Sequence, residues 1–347
     1  MGIEKIPVEQ FIQLSNNYPI IDVRSDAEYE HAHIPGAISL PLFDNQERAE
    51  VGTIYKQASR EKAIKKGLEY FGPKMKDMLV SAEETITKKN ESNRTVLVHC
   101  WRGGMRSGAV AWLLDLYGFK VYTLIGGYKS FRNWVLKEFE QPYPFQILGG
   151  NTGSGKTIVL YALAEMQEAV VDLEGLAGHK GSAFGNIGLP KQPSQEMFEN
   201  KLALAIKNTH DKYQLKKIWL EDESQRIGTV NIPQTLWAHM RKCEIVFLDI
   251  PFASRLNYLV ETYGKLDRVA LKDAILRIQK RLGGLETKTA LESLLNEDLS
   301  GCFDVLLKYY DKQYRKGLEK REDPKPTIEM ILAEDVNGIE NAKLLIK

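Results

Sequence analysis

Apolar residues in this chain fall in short blocks separated by longer mixed stretches. Ile20-Ile21-Asp22-Val23-Arg24 and Arg94-Thr95-Val96-Leu97-Val98-His99 are compact, rich in β-branched residues and end in polar groups, which predicts two buried strands. After the second comes a Gly-containing turn and then Gly108-Ala109-Val110-Ala111-Trp112-Leu113-Leu114, whose spacing suits a packed helix. Val121 to Leu124, Gly126-Gly127 and the aromatic segment through Phe139 repeat the sequence strand, turn, helix. Such alternation is the signature of a parallel α/β sheet. Gln141-Pro142-Tyr143-Pro144 interrupts it, because a proline has no amide donor and restricts the residue before it. Beyond that break the alternation restarts, with strand-like runs at Phe145 to Leu148, Ala169 to Leu173, Ile218 to Leu220 and Ile245 to Ile250. From about Ala270 onward the pattern is helical and charged. The expectation is two α/β domains, residues 1–140 and 141–347, the second ending in a helical part.

Composition changes this picture little. At 347 residues, 43% hydrophobic and 27% charged, the chain has enough apolar residues for two cores. The first residues lack the apolar block of a signal peptide and no apolar run approaches the ~18 residues of a membrane span, so the expected location is cytoplasmic. Cys100, Cys243 and Cys302 lie far apart with no C-x-x-C pair, which argues against a disulfide framework and a structural zinc site, and no metal site of that kind is expected. With 47 Lys+Arg against 46 Asp+Glu, a polyanionic partner must be held by local basic patches.

Two loops carry candidate chemistry. His99-Cys100-Trp101-Arg102-Gly103-Gly104-Met105-Arg106-Ser107 lies between a strand and a helix, where successive backbone N–H groups can curl around an anion. Such a cradle would lower the Cys100 pKa and yield a thiolate nucleophile, with Arg102 and Arg106 as fork-shaped donors, Gly103 and Gly104 permitting the tight path and Ser107 at the helix start. A buried small cysteine at a strand end is the structural alternative, and two arginines with two glycines fit an apolar core poorly. The string also satisfies the cysteine phosphatase pattern of Cys, five residues, Arg and Ser/Thr.

The second loop, Gly150-Asn151-Thr152-Gly153-Ser154-Gly155-Lys156-Thr157, satisfies G-x-x-x-x-G-K-[ST] between a strand and a helix. Gly150, Gly153, Ser154 and Gly155 would let backbone amides approach a phosphate chain, Lys156 would neutralise its outer phosphate, and Thr157 is where a Mg2+ would normally bind. An acidic partner could come from Glu221-Asp222-Glu223 or from Asp249, each at a strand end. A Gly-rich stretch containing Asp172, His179 and Ser182 reads as an active-site loop after a strand. Arg277, Lys280 and Arg281 fall at helical spacing and could share a face toward RNA phosphates, and Lys308 to Lys316 mixes cations with tyrosines; a solvated helix face is the alternative.

Asp22-Val23-Arg24, Glu28-Tyr29, His33-Ile34-Pro35-Gly36-Ala37 and Leu40-Pro41 resemble the rhodanese superfamily across roughly the first 138 residues, with a Cys100 loop about one residue longer than in simple thiosulfate sulfurtransferases. Joined to a P-loop domain with Asp172-Leu173-Glu174 leading into His179-Lys180-Gly181-Ser182-Ala183-Phe184-Gly185, the whole closely resembles the bacterial tRNA 2-selenouridine synthases. That resemblance implies a rhodanese-like parallel-sheet domain fused to a P-loop NTPase-like one. It also implies a transferase that converts the wobble 2-thiouridine of tRNA to 2-selenouridine through S-geranyl-2-thiouridine, with geranyl diphosphate and selenophosphate as co-substrates. The partners implied are the tRNA anticodon region and an enzyme supplying selenophosphate, without membrane or DNA. On this reading the P-loop grips the geranyl diphosphate, while Cys100, Arg102 and Arg106 serve selenium transfer. A shielded apolar cleft is also required, for which Phe184, Trp219 and Phe252 are candidates. The remaining alternative is a sulfurtransferase or cysteine phosphatase coupled to a nucleotide-binding domain.

Overall fold

The computed structural model describes residues 2–87, 94–321 and 326–346. The chain separates into two compact units, Met1–Glu138 and Phe139–Lys347.

The first unit runs β1 (Ile3–Ile6), α1 (Val8–Ser15), β2 (Ile20–Asp22), α2 (Asp26–His31), β3 (Ala37–Ser39), α3 (Asn45–Gln57), α4 (Arg60–Thr87), β4 (Thr95–His99), α5 (Met105–Leu116), β5 (Lys120–Leu124) and α6 (Gly127–Glu138). Its five strands pair in parallel in the order β1-β5-β4-β2-β3. Every residue of β2 and β4 is buried, which is why these strands read as unbroken apolar blocks: helices cover both faces of a parallel sheet. Beneath the end of β4, Arg24 forks onto Asp22 and lies 3.8 Å from the centroid of the Tyr128 ring. His99 is fully buried beside them, and burial lowers its pKa to about 4, so it packs as a neutral ring.

The second unit runs β6 (Phe145–Gly150), α7 (Lys156–Glu165), α8 (Leu173–Ala177), α9 (Gln195–Tyr213), β7 (Ile218–Glu221), β8 (Arg226–Ile227), β9 (Val230–Asn231), α10 (Gln234–Met240), β10 (Ile245–Asp249), α11 (Phe252–Tyr263), α12 (Arg268–Leu282), α13 (Gly284–Leu295), α14 (Leu299–Glu319), β11 (Ile328–Leu332) and α15 (Gly338–Leu345). The parallel sheet has the order β11-β10-β6-β7, and β8 and β9 form a separate antiparallel pair. Two expectations need correction. Residues 169–173 form no strand: a single bridge joins Val170 to Trp219, because Asp172 already caps α8 by accepting from the Gly175 amide. The C-terminal region is not wholly helical either, since β11 adds to the free edge of β10. Its residues are mostly exposed, as befits an edge strand, and so lack the apolar continuity of the central strands. Among the described residues no helix is long and apolar enough to cross a membrane.

Candidate functional site

Both candidate loops sit where a parallel strand ends and a helix begins. Cys100 follows β4, buried, and α5 starts five residues later with Gly104 as N-cap and no side chain capping the helix. The first amides of α5 are therefore available to an anion, and the helix dipole adds partial positive charge there. Ser107, in the first turn of α5, places its hydroxyl 3.3 Å from the Cys100 sulfur. Burial works to raise the Cys100 pKa, but the Ser107 hydroxyl, the Ser107 and Gly104 backbone and the Arg106 charge outweigh it, and the net direction is down. The other two thiols go the opposite way: burial raises Cys243 and takes Cys302 up to about 11. Cys100 is thus the thiol built for the thiolate form. A β-carbon on Gly103, at φ +63°, would lie 2.3 Å from the Leu124 carbonyl oxygen, so glycine is required where this loop crosses the turn after β5.

The two arginines differ. Arg102 is exposed, whereas Arg106 is half-buried and donates to Glu28 of α2 at 2.7 Å and 3.4 Å. Arg48 of α3 approaches the same carboxylate at 3.5 Å. Removing the Ser107 hydroxyl should raise the Cys100 pKa: in Ser107→Ala, alkylation by iodoacetamide at neutral pH is expected to slow roughly tenfold, with the midpoint of its pH profile shifted upward. An unshifted profile would show that the hydroxyl does not stabilise the thiolate.

The second loop leaves β6 at Gly150 and enters α7, whose N-cap Gly155 has φ +72° and again no capping side chain. Lys156 folds back to donate to the Gly150 carbonyl at 2.9 Å, and Ser154 and Asn151 each keep a buried oxygen without a partner. The Thr157 hydroxyl donates to Glu174 of α8 at 3.0 Å. Glu221, at the end of β7, accepts from the Glu174 amide at 2.7 Å while its other oxygen is unpartnered. Burial first, and then the charges of Asp172 and Glu174, push Glu221 up to about 8. Glu223 is raised by burial and by Glu174, and Glu174 itself is raised by burial against the pull of Lys156. These carboxyls crowd the Lys156 and Thr157 side of the loop.

Models of two families match the chain. One, described as the tRNA 2-selenouridine synthase AAA domain, covers residues 143–331, and the rhodanese-like domain covers residues 7–133. A tRNA 2-selenouridine synthase of Bdellovibrio bacteriovorus is 35% identical, with 92% of this chain and 94% of that protein aligned. Those of Hydrogenovibrio crunogenus and Nitrosomonas europaea are 34% and 36% identical, aligning 88% and 82% of this chain with 91% and 73% of theirs. The chain belongs to the tRNA 2-selenouridine synthase family.

In this tRNA 2-selenouridine synthase family member, several residues singled out from sequence take other positions. Asp172 is occupied in capping α8 and in accepting from Tyr161. Asp222 turns away from its two glutamate neighbours to bind the Tyr314 hydroxyl and Arg321. His179 is half-buried, its amide bonded to the Glu174 carbonyl and its pKa lowered by burial and by Arg277. The Ser182 hydroxyl accepts from the Phe184 amide at 3.2 Å, closing a tight turn. Arg277 donates to the Ala183 carbonyl and to Asn186, so it pins this loop instead of standing free beside Lys280 and Arg281, which are exposed in the last turn of α12. Phe184 packs edge-on against Tyr263 and Phe303, and Trp219 is buried within the sheet.

The sequence pattern does not give Glu28, Glu174, Arg255 or Tyr314 the contacts they make. Tyr314 accepts from the Gly150 amide at 3.3 Å, and buried Arg255 bridges the Thr152 carbonyl and Asp311 at 2.9 Å each. Glu28 and Glu174 lie inside the family-like motifs and Tyr314 in the basic, tyrosine-rich stretch, but no local signal shows which distant group each of them meets.

Proposed function

We propose that this enzyme of the tRNA 2-selenouridine synthase family converts the wobble 2-thiouridine of tRNA to 2-selenouridine in two steps. The observation that carries this reading is the pair of uncapped helix starts, one facing a thiol of lowered pKa and the other facing a lysine. In the first step the thiouridine sulfur attacks C1 of geranyl diphosphate; the C–O bond breaks, diphosphate leaves and the N3 proton is lost. The amides of residues 151–157 and Lys156 hold the diphosphate and take up the charge that develops on it. In the second step the selenium of selenophosphate attacks C2 and geranylthiol departs with a proton, and water then cleaves the Se–P bond, releasing phosphate and leaving the C2 selenocarbonyl. Alkylation makes this feasible, because a thiol leaves more readily than sulfide. The α5 N-terminus and Arg102 bind the selenophosphate anion beside Cys100.

The donor set near Thr157 fits a Mg2+ carried in with a diphosphate. Thr157 and Glu174 offer two hard oxygens 3.0 Å apart that would hold the ion alongside the diphosphate. No group of three or more His, Cys, Asp or Glu side chains able to hold a metal exists among the described residues. The ion would supply charge neutralisation on the leaving group.

The test is mass analysis of nucleosides from 2-thiouridine-containing tRNA incubated with the chain, geranyl diphosphate and selenophosphate. The expected products are S-geranyl-2-thiouridine with the first donor alone and 2-selenouridine with both. An unaltered thiolated base in every arm would sink the proposal, and rapid turnover of phosphate esters or thiosulfate without tRNA would favour a phosphatase or sulfurtransferase.

A further inference from the structure

Helix α14 divides its chemistry between two faces. Cys302, Phe303, Leu306 and Leu307 are buried in the helical core, and the same side continues into contacts with the loop at Ala183 and with the P-loop. Tyr310 accepts from the Ala183 amide, Asp311 pairs with Arg255 at 2.8 Å, and Tyr314 binds the Gly150 amide and Asp222. The outward side is cationic. Lys308, Lys312, Arg315 and Lys316 are exposed at steps of four, seven and eight residues, and Lys320 follows as the C-cap. Residues so spaced share one face of a helix. Lys308 is engaged with Asp304, while Lys312, Arg315 and Lys316 have no bonded partner among the described residues. Glu319 is the one carboxylate within this stripe.

We propose that the outward face of α14, through Lys312, Arg315, Lys316 and Lys320, binds the phosphate backbone of the tRNA. This inference rests on the reading of the chain as a tRNA-modifying enzyme. The dimensions suit it: eight residues of helix span about 12 Å, a length of duplex that presents about three or four phosphates per strand. Position suits it as well, because the inner face of this helix holds Gly150 of the P-loop through Tyr314 and Thr152 through Asp311 and Arg255, about one helix diameter of ~10 Å from the bound backbone. An anionic membrane is the competing polyanion, and α14 is poorly made for one. A helix lying in a lipid interface buries an apolar face, whereas α14 turns Phe303, Leu306 and Leu307 to the core and has no large apolar residue that is exposed.

The experiment compares the full chain with a Lys312→Gln, Arg315→Gln, Lys316→Gln triple variant in binding unmodified tRNA across a salt series without either donor. Loss of three phosphate contacts should flatten the slope of log Kd against log salt by about 2 to 3 and weaken binding at low salt by at least about tenfold. Inorganic diphosphate binding and the thermal midpoint should stay unchanged, since all three side chains are exposed. On the unaltered chain, tRNA should protect Lys312 and Lys316 from acetylation. An unchanged slope and affinity, or unprotected lysines, would overturn the proposal, as would binding to phosphatidylserine vesicles that depends on these residues while tRNA binding does not. Because no donor is present, these results stand whether or not the chain makes selenouridine.

Discussion

Lys156→Ala is expected to stop the reaction at its first step, leaving 2-thiouridine unalkylated even when both donors are saturating. The ammonium now rests on the Gly150 carbonyl at 2.9 Å, an arrangement a phosphate oxygen would replace when the diphosphate arrives. No other cation of the loop can substitute, because residues 150–155 are Gly, Asn, Thr, Gly, Ser and Gly. Removing one preorganised donor from a developing oxyanion typically costs about 10²–10³ in rate, so geranylated nucleoside should form at about one-hundredth of the normal rate or less. Inorganic diphosphate should bind more weakly in the same proportion. The variant should still convert S-geranylated tRNA supplied from outside when selenophosphate is present. Failure of that rescue would show that the P-loop also serves the second step and would refute the separation of roles.

Cys100→Ala should give the complementary pattern: normal S-geranyl-2-thiouridine, with 2-selenouridine reduced by at least about a hundredfold, the scale seen when one preorganised group is removed from the reacting centre. Replacement by alanine leaves a small apolar side chain where a buried sulfur lay, so the loop should persist, and the thermal midpoint checks this. Because the Cys100 pKa is lowered, the thiolate is populated at pH values below the ordinary thiol range, and selenation should fall as pH drops through the lowered value. Geranylation should not follow that profile. Equal loss of both products in the alanine variant would place Cys100 in both steps or neither.

Much of this was legible along the chain. The strands β2, β4, β6 and β10 are buried blocks bounded by polar residues, and a parallel sheet covered on both faces requires such blocks. The two reactive loops are contiguous, so their glycines, their nucleophile or lysine, and the helix that follows all belong to one stretch of sequence. By contrast β11, a mostly exposed edge strand, carries no continuous apolar block, and residues 169–173 have one but surrender it to the cap of α8. Propensity along a segment does not register a neighbour's free edge or a competing cap.

The sequence by itself determined two α/β units, each with a strand that runs through a glycine-containing loop into a helix, because those features arise from residues adjacent in the chain. Only the tertiary structure decided what surrounds them. Glu28 reaches Arg106 across 78 positions, Glu174 reaches Thr157 across 17, and Tyr314 reaches Gly150 across 164. Whether a carboxylate stands as acid, anion or ion-pair partner depends on burial and on neighbours supplied by distant elements, and packing alone brings those together.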